Sequence, residues 1–272
     1  MSAGPPPRIL AIAGSDSSGG AGIQADIKTI AMLGGYAMTA ITAATAQNSK
    51  GVQAITPLSA DFVRMQIKSC IEDIGIDAIK IGMLHNERTI ASIADALMGV
   101  DVPIVLDPVM VATSGAPLID KHAVAAMRSL LFPRATLLTP NLPELELLTK
   151  SDPRTSIDMA NAAISLANEC GCHVLAKGGH AKDDRVVDVL VSPDTPDAAR
   201  AIAFEHARID TQHIHGTGCT LSSAIATLLG HGQSLEHSVR LARRFVIRAI
   251  EEAPGFGSGN GPLGHHAVRS LD

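Results

Sequence analysis

A single α/β domain, with a mostly parallel central sheet and helices on both faces, follows from three observations. Short apolar runs that read as buried strands alternate repeatedly with amphipathic helical stretches. No linker-like segment and no internal repeat with a period of about 20–50 residues breaks that alternation. At 272 residues the chain is long enough to bury one large core.

Composition narrows the class further. Apolar residues make up 46% of the chain but aromatics only 2%, with no Trp, so aliphatic side chains must fill the interior. The net charge is −5 and no basic run exists, which argues against a nucleic-acid groove with stacking aromatics. No apolar stretch reaches the roughly 18 residues that a membrane span needs. Residues 1–7 lack the apolar centre of a signal peptide and read as a disordered lead-in, with the domain running over 8–272. Four Cys do not make a disulfide framework, so a reducing cytoplasmic setting is expected, with Cys170 and Cys172 as structural thiols.

The elements can be justified in order. Arg8–Ala13 is a short apolar strand, followed at once by Gly14-Ser15-Asp16-Ser17-Ser18-Gly19-Gly20-Ala21-Gly22. Ile23, Ile27 and Ile30 then mark one face of a helix reaching about Leu33. Strand, Gly-rich loop and helix form a ligand-binding unit, yet the glycine spacing fits neither the dinucleotide fingerprint nor a Walker loop. Asp26, one turn into the helix, is either an acid at a positive helix end or a substrate contact. Tyr36–Ala46 is a Thr/Ala-rich strand that runs into a polar turn at Gln47–Gly51. There Gln47 is either a solvent-facing amide or a ligand contact offering donor and acceptor together.

Leu58–Ile74 reads as an amphipathic helix, Ala78–Ile81 as a strand ending at Gly82-Met83, and Asn86–Met98 as a helix capped by Asn86. Ile104–Leu106 is a strand ending in Asp107-Pro108, where open α/β sheets place catalytic or metal groups. Lys121–Leu131 is helical. Ala135–Leu138 is a strand ending in Thr139-Pro140-Asn141-Leu142-Pro143-Glu144. Asn141 and Glu144 either cap the next helix as a capping box or turn toward one cation, in the case of Mg²⁺ through its waters. Ser156–Glu169 is helical, and His173–Ala176 is a strand leading to Lys177-Gly178-Gly179-His180. Lys177 could meet a phosphate or simply lie at the surface. Val186–Val191 and Ala201–Ile209 pair as strands across a turn-rich loop. Leu235–Glu252 is the last long helix, with Val239, Ala242, Val246 and Ala249 on one face. The tandem His265-His266 in the tail has no third partner at ligand spacing for zinc.

The stretch His215-Gly216-Thr217-Gly218-Cys219-Thr220 opens a further helix. Read alone, it is either an ordinary loop-to-helix junction with a buried Cys or an anion site built from glycines, free N–H groups and a helix dipole. In the second case the Cys219 thiol should be more acidic than the free value of about 8.5. Gly14–Gly22, Gln47, Asp107, Asn141/Glu144 and Lys177 all fall at the C-terminal ends of expected strands, which a parallel sheet brings to one edge. An anion hole, a candidate metal pair, a Lys and a polar loop together form an inventory for phosphoryl transfer.

The residues that carry this inventory also resemble a family. Gly14–Asp26, Thr45-Ala46-Gln47-Asn48, Lys80–Leu84, Leu106–Met110, Thr139–Glu144, Lys177–His180 and His215–Thr220 match, in order, the motifs of the hydroxymethylpyrimidine/phosphomethylpyrimidine kinases. These enzymes are ribokinase-like three-layer sandwiches of thiamine biosynthesis. The resemblance covers the chain from about Ile9 to the tail. It implies that Gly14, Asp26, Gln47 and Met83 line a pyrimidine pocket, and that Gly216, Thr217 and Gly218 offer backbone N–H groups to the transferred phosphoryl. It implies that Asn141 and Glu144, with Asp107 nearby, organise Mg²⁺, that Lys177 contacts ATP, and that Cys219 stands where sugar kinases of the superfamily carry Asp. Cys219 would then be the activating base or a transition-state stabiliser. A homodimer is implied as well. The competing expectations are a pyridoxal-type kinase with the same Cys-bearing anion hole and, from another class, a non-catalytic pyrimidine or nucleotide sensor. Ala112–Pro117 and Ser192–Asp197 are the loops that could close over the site.

Overall fold

The computed structural model describes residues 4–110, 119, 121–179, 184–193 and 201–270. Its strands are β1 (Arg8–Asp16), β2 (Tyr36–Asn48), β3 (Gly51–Pro57), β4 (Ala78–Ile81), β5 (Ile104–Leu106), β6 (Leu137–Leu138), β7 (His173–Ala176), β8 (Arg185–Val191) and β9 (Ala201–Ala207). Its α-helices are α1 (Gly22–Met32), α2 (Ala60–Ser69), α3 (Glu87–Ala96), α4 (Lys121–Leu130), α5 (Leu142–Thr149), α6 (Ser156–Cys170), α7 (Thr217–Gly230) and α8 (Leu235–Glu251). The strands form one sheet in the order β3-β2-β1-β4-β5-β6-β7-β8-β9. Pairing is parallel from β2 through β7 and antiparallel at the margins, where β3 joins β2 and β8 and β9 follow β7. The expected mostly parallel sheet is therefore present.

Side-chain alternation along the strands divides the core into two layers. Leu10 and Ile12 of β1 point to the layer holding α2 to α6, while Ile9, Ala11 and Ala13 point to the layer holding α1, α7 and α8. Few aromatics are needed because small residues let the helices come close. In α7, Thr220 to Leu228 are all buried, and the hydroxyls of Ser222 and Thr227 turn back onto the carbonyls of Gly218 and Ser223. Ser59, Asn86, Thr155 and Ser234 each cap a helix with a side-chain oxygen.

Several boundaries differ from the sequence expectation. β1 runs on through Gly14 to Asp16, with an irregularity between Ala13 and Ser15, because β2 on its flank supplies further pairing. Gln47 belongs to β2 and lies opposite Val52 of β3, so the polar turn is shorter than expected and the edge strand β3 follows it. β6 is only two residues long, and α2 passes into a π-helical turn at Cys70–Ile74 that Gly75 ends. Pro7 is buried and its carbonyl accepts from Tyr36 N–H, so the folded domain begins before Arg8. Residues 1–3, the loop Ala112–Pro117, His180 and the part of Ser192–Asp197 after Pro193 lie outside the described residues. No described helix is long and apolar enough to cross a membrane.

β1 lies between β2 and β4, so the chain leaves β1 in one direction along the sheet and β4 in the other. Their C-terminal ends therefore open a crevice rather than a closed edge. Further along that edge, the turn after β7 is held by a buried pair. Asp188 Oδ1 accepts from Gly178 N–H at 2.9 Å and Asp188 Oδ2 meets Arg243 Nε of α8 at 2.7 Å. Replacing Asp188 by Ala leaves the buried Arg243 without this counter-charge, with His206 and the Phe204 ring beside it, and we predict a loss of about 3 kcal/mol in urea unfolding. The double variant Asp188→Ala/Arg243→Leu should recover part of that loss.

Candidate active site

The two Gly-rich segments meet. Gly216, the residue before α7, has φ 87°, and a methyl group there would lie 1.8 Å from the Gly20 carbonyl oxygen. The tip of α7 and the loop after β1 thus share one crevice. At Gly14 a methyl group would lie 2.5 Å from Met83 Cε, so these two residues form one wall. Met83 continues that wall with Ala43, Ile55 and Val109. Gln47 stands at the rim, with its Nε2 3.3 Å from His215 Nε2 and its Oε1 3.1 Å from Thr45 Oγ1.

Two residues that sequence reasoning did not assign organise this part. Asp16 accepts from Ser18 N–H at 2.8 Å, Gly20 N–H at 3.2 Å and Ala21 N–H at 2.8 Å, and lies 2.8 Å from His215 Nε2. Burial acts to raise the Asp16 pKa, but the hydrogen bonds from His215, Ser18 and Ala21 outweigh it and hold the carboxyl down at about 2.

Asp26 departs from the expectation of a pocket-lining acid. It is wholly buried, and its oxygens meet Lys80 Nζ at 2.8 and 2.9 Å and Ser223 Oγ at 2.6 Å. The carboxylate has turned inward because Lys80, in the all-buried strand Ala78-Ile79-Lys80-Ile81, would otherwise be an unpaired charge in the core. Burial acts to neutralise the Lys80 ammonium, but the neighbouring Asp26 carboxylate holds it charged, with a pKa above the ordinary range. A Lys inside an apolar strand was the available signal that an acid had to lie opposite.

Cys219 lies half-buried in the first turn of α7, with Gly22 N–H donating to its sulfur. The expected acidification is reversed. Burial raises the thiol above its ordinary value, the Asp26 and Asp107 carboxylates add to that, and Lys80 only partly opposes it. The helix end does not overcome desolvation. Of the three expected backbone donors, Thr217 N–H is turned back onto the Ile214 carbonyl at 3.3 Å. Gly218 follows it in the same first turn, where helical N–H groups have no intrahelical acceptor.

Beside the tip of α7, Lys177 Nζ meets Asp107 Oδ1 at 2.7 Å, and Thr139 Oγ1 donates to the same oxygen at 3.0 Å. A methyl group on Gly218 would be 3.2 Å from both Asp107 Oδ2 and Lys177 Nζ, so this pair borders the helix tip. Burial acts to lower the Lys177 pKa, but Asp107 and Glu144 more than offset it. Asn141 and Glu144 form the capping box that the sequence allowed: Glu144 N–H donates to Asn141 Oδ1 at 2.9 Å and Asn141 N–H to Glu144 Oε2 at 2.8 Å. Glu144 is nonetheless pushed up to about 7, first by burial and then by Asp107, with Lys177 opposing. Among the described residues no cluster of three or more His, Cys, Asp or Glu could cage a metal. Asp107 and Glu144 instead suit a hard cation that keeps most of its water, whose charge their crowded carboxylates lack. In the tail, His265 is buried, with Nε2 2.8 Å from Thr220 Oγ1, so it props α7 from behind.

A crevice at the switch point of a mostly parallel sheet, with a helix tip, Lys80, Lys177 and their partner carboxylates around it, defines a ribokinase-like phosphotransferase. Comparison with known proteins agrees. Residues 16–264 match the family model described as phosphomethylpyrimidine kinase. A hydroxymethylpyrimidine/phosphomethylpyrimidine kinase of Streptomyces coelicolor is 43% identical over 260 residues, covering 96% of this chain and 94% of that protein. Among solved structures, the ADP complex of Bacillus subtilis pyridoxal kinase superposes with a TM-score of 0.87 at 35% identity, over 97% of this chain and 99% of that one. Phosphomethylpyrimidine kinase from Clostridium difficile 630 superposes with a TM-score of 0.77 at 38% identity, over 89% and 99%. The chain belongs to the phosphomethylpyrimidine kinase family.

Two outcomes follow from the charges. Lys80→Met should lower stability by about 3–5 kcal/mol in chemical denaturation, because Asp26 stays buried without its partner. The Asp16 contribution, with a folded pKa of about 2 against 3.8, is present above about pH 4 and lost as the pH falls through about 2. Asp16→Asn should therefore flatten that part of the acid-unfolding curve.

Proposed function

We propose that this protein transfers the γ-phosphoryl group of ATP to 4-amino-5-hydroxymethyl-2-methylpyrimidine, and then a second phosphoryl to the resulting monophosphate, in thiamine biosynthesis. The observation that carries the reading is the adjacency of the Gly14–Met83 wall and the Gln47 rim to the Gly216–Cys219 helix tip. A flat heteroaromatic ring held against the wall would direct its hydroxymethyl group toward the tip.

In the first step the Cys219 thiol gives its proton to solvent, the hydroxymethyl oxygen attacks the γ-phosphorus as the bond to ADP breaks, and the hydroxyl proton passes to the Cys219 thiolate. Positioning and charge neutralisation supply most of the acceleration in a loose transition state, so a thiol with a raised pKa can still serve as a base contributing about 100-fold. In the second step the acceptor is already an ionised monophosphate, and the task becomes holding two anions together. Gly218 N–H, Lys177 and the start of α7 supply the positive field. Asp107 and Glu144 would hold Mg²⁺ through its waters, with Asn141 fixing Glu144, and the cation would neutralise charge between the phosphates. Lys177 would contact the ATP phosphates after exchanging part of its bond to Asp107.

The four unpaired cysteines fit a reducing cytoplasm. The outer strand β3 offers an edge that a second copy could cover in a homodimer. Vitamin B6 alcohols and aldehydes are the alternative substrates, since a pyridoxal kinase is among the structural neighbours.

The test is the purified protein with Mg–ATP and either the hydroxymethylpyrimidine or pyridoxal, with products resolved by mass. Mono- and diphosphorylated pyrimidine are expected as the main products; exclusive conversion of pyridoxal would overturn the reading. Cys219→Ala should lower the first step by about 100-fold or more while leaving the fold intact. A rate within a few-fold of wild type would remove Cys219 from the chemistry.

A further inference from the structure

Three polar groups that the sequence keeps far apart share one atom. His215 Nε2 is 2.8 Å from Asp16 Oδ2 and 3.3 Å from the end of the Gln47 side chain. The other end of the Gln47 amide is 3.1 Å from Thr45 Oγ1, whose hydroxyl also lies 3.0 Å from the Ser15 carbonyl. A ring nitrogen facing a carboxylate at 2.8 Å must carry a proton, whether the imidazole is neutral or charged. His215 Nε2 is therefore a donor, and the Gln47 atom facing it must be the carbonyl oxygen. The NH₂ end then faces Thr45 Oγ1 and donates to it, while the Thr45 hydroxyl donates to Ser15. In this arrangement the His215 proton is shared between the near Asp16 oxygen and the more distant Gln47 oxygen, and each remaining contact pairs one donor with one acceptor. With the amide reversed, two donors face each other at His215 and Thr45 must donate twice with one hydrogen.

We infer that Asp16 and His215 are specificity-determining residues, because by fixing a proton on His215 Nε2 they fix the polarity of the Gln47 amide and hence the donor–acceptor order accepted on a ring edge. The inference rests on the pyrimidine reading of the crevice. A 4-aminopyrimidine presents a ring-nitrogen acceptor beside an amino donor. The 4-oxo ring presents N–H beside a carbonyl oxygen, the reverse order. A Gln free to rotate would serve both, whereas a Gln held by His215 on one side and Thr45 on the other serves one. Asp16 also anchors Ser18, Gly20 and Ala21, so the same carboxylate shapes the loop and sets the reading of the edge.

Two measurements test this. In long-range ¹⁵N–¹H correlation spectra of histidine-labelled protein, assigned with His215→Gln, the Nε2 of His215 should be protonated; an unprotonated Nε2 overturns the proposal. In calorimetric titrations without ATP, the wild type should bind the 4-amino ring at least about 10-fold more tightly than its 4-oxo isostere. That ratio should fall to about 3-fold or less in Asp16→Asn, where the neutral amide permits the other imidazole tautomer. Thr45→Val, isosteric and placed within β2, is the second variant and should also lower the ratio. An unchanged ratio in either folded variant overturns the proposal while the functional reading stands. If the wild type binds neither ring, the functional reading itself falls and takes this specificity with it.

Discussion

The buried pair Lys80–Asp26, extended by Ser223, is the interaction on which the crevice depends. It joins β4, α1 and α7 at one point, and these are the elements whose ends surround the proposed reaction centre. Two opposite charges in a dry core are worth little in net stability when both are present. They are costly when one is missing, so they act mainly as a register lock. A shift of α1 by one residue would leave the Lys80 ammonium without a partner in the middle of a strand, and a shift of α7 would take the Ser223 hydroxyl from Asp26.

The same pair shapes the electrostatics of the helix tip. Cys219 lies one turn before Ser223 and feels Lys80 as a positive neighbour and Asp26 as a negative one. The result is a thiol that burial keeps protonated rather than a resident thiolate. Beside Gly218 at the same helix tip, Lys177 is held charged by Asp107 and Glu144. Each buried cation near the helix tip is thus matched by a neighbouring carboxylate. Such a layout receives polyanionic ligands without presenting an unbalanced charge to solvent when they leave.

The strand–helix alternation, two of the helix caps and most strand-end residues were legible from periodicity and turn chemistry, because those signals are local. Asn86 at the start of α3, the Asn141–Glu144 box and the apolar face of α8 are cases in point. The extension of β1, the edge strand β3 and the two-residue β6 were not legible, since their pairing comes from strands distant in sequence. The inward turn of Asp26 was missed for the same reason. Its neighbours along the helix say nothing of Lys80, 54 residues away. The high pKa of Cys219 was missed because a helix N-terminus is visible in sequence and desolvation is not.

What the chain determined by itself was the layered α/β architecture, the edge on which its polar residues would gather, and the family to which its motifs belong. These depend on residue order and short-range periodicity alone. What only the tertiary structure decided was which polar groups meet. Asp16 with His215 and Gln47, Lys80 with Asp26, and Asp107 with Lys177 are pairings made by loop closure across the sheet. Ion pairs and hydrogen bonds depend on distances of a few ångströms, which no spacing along the chain specifies.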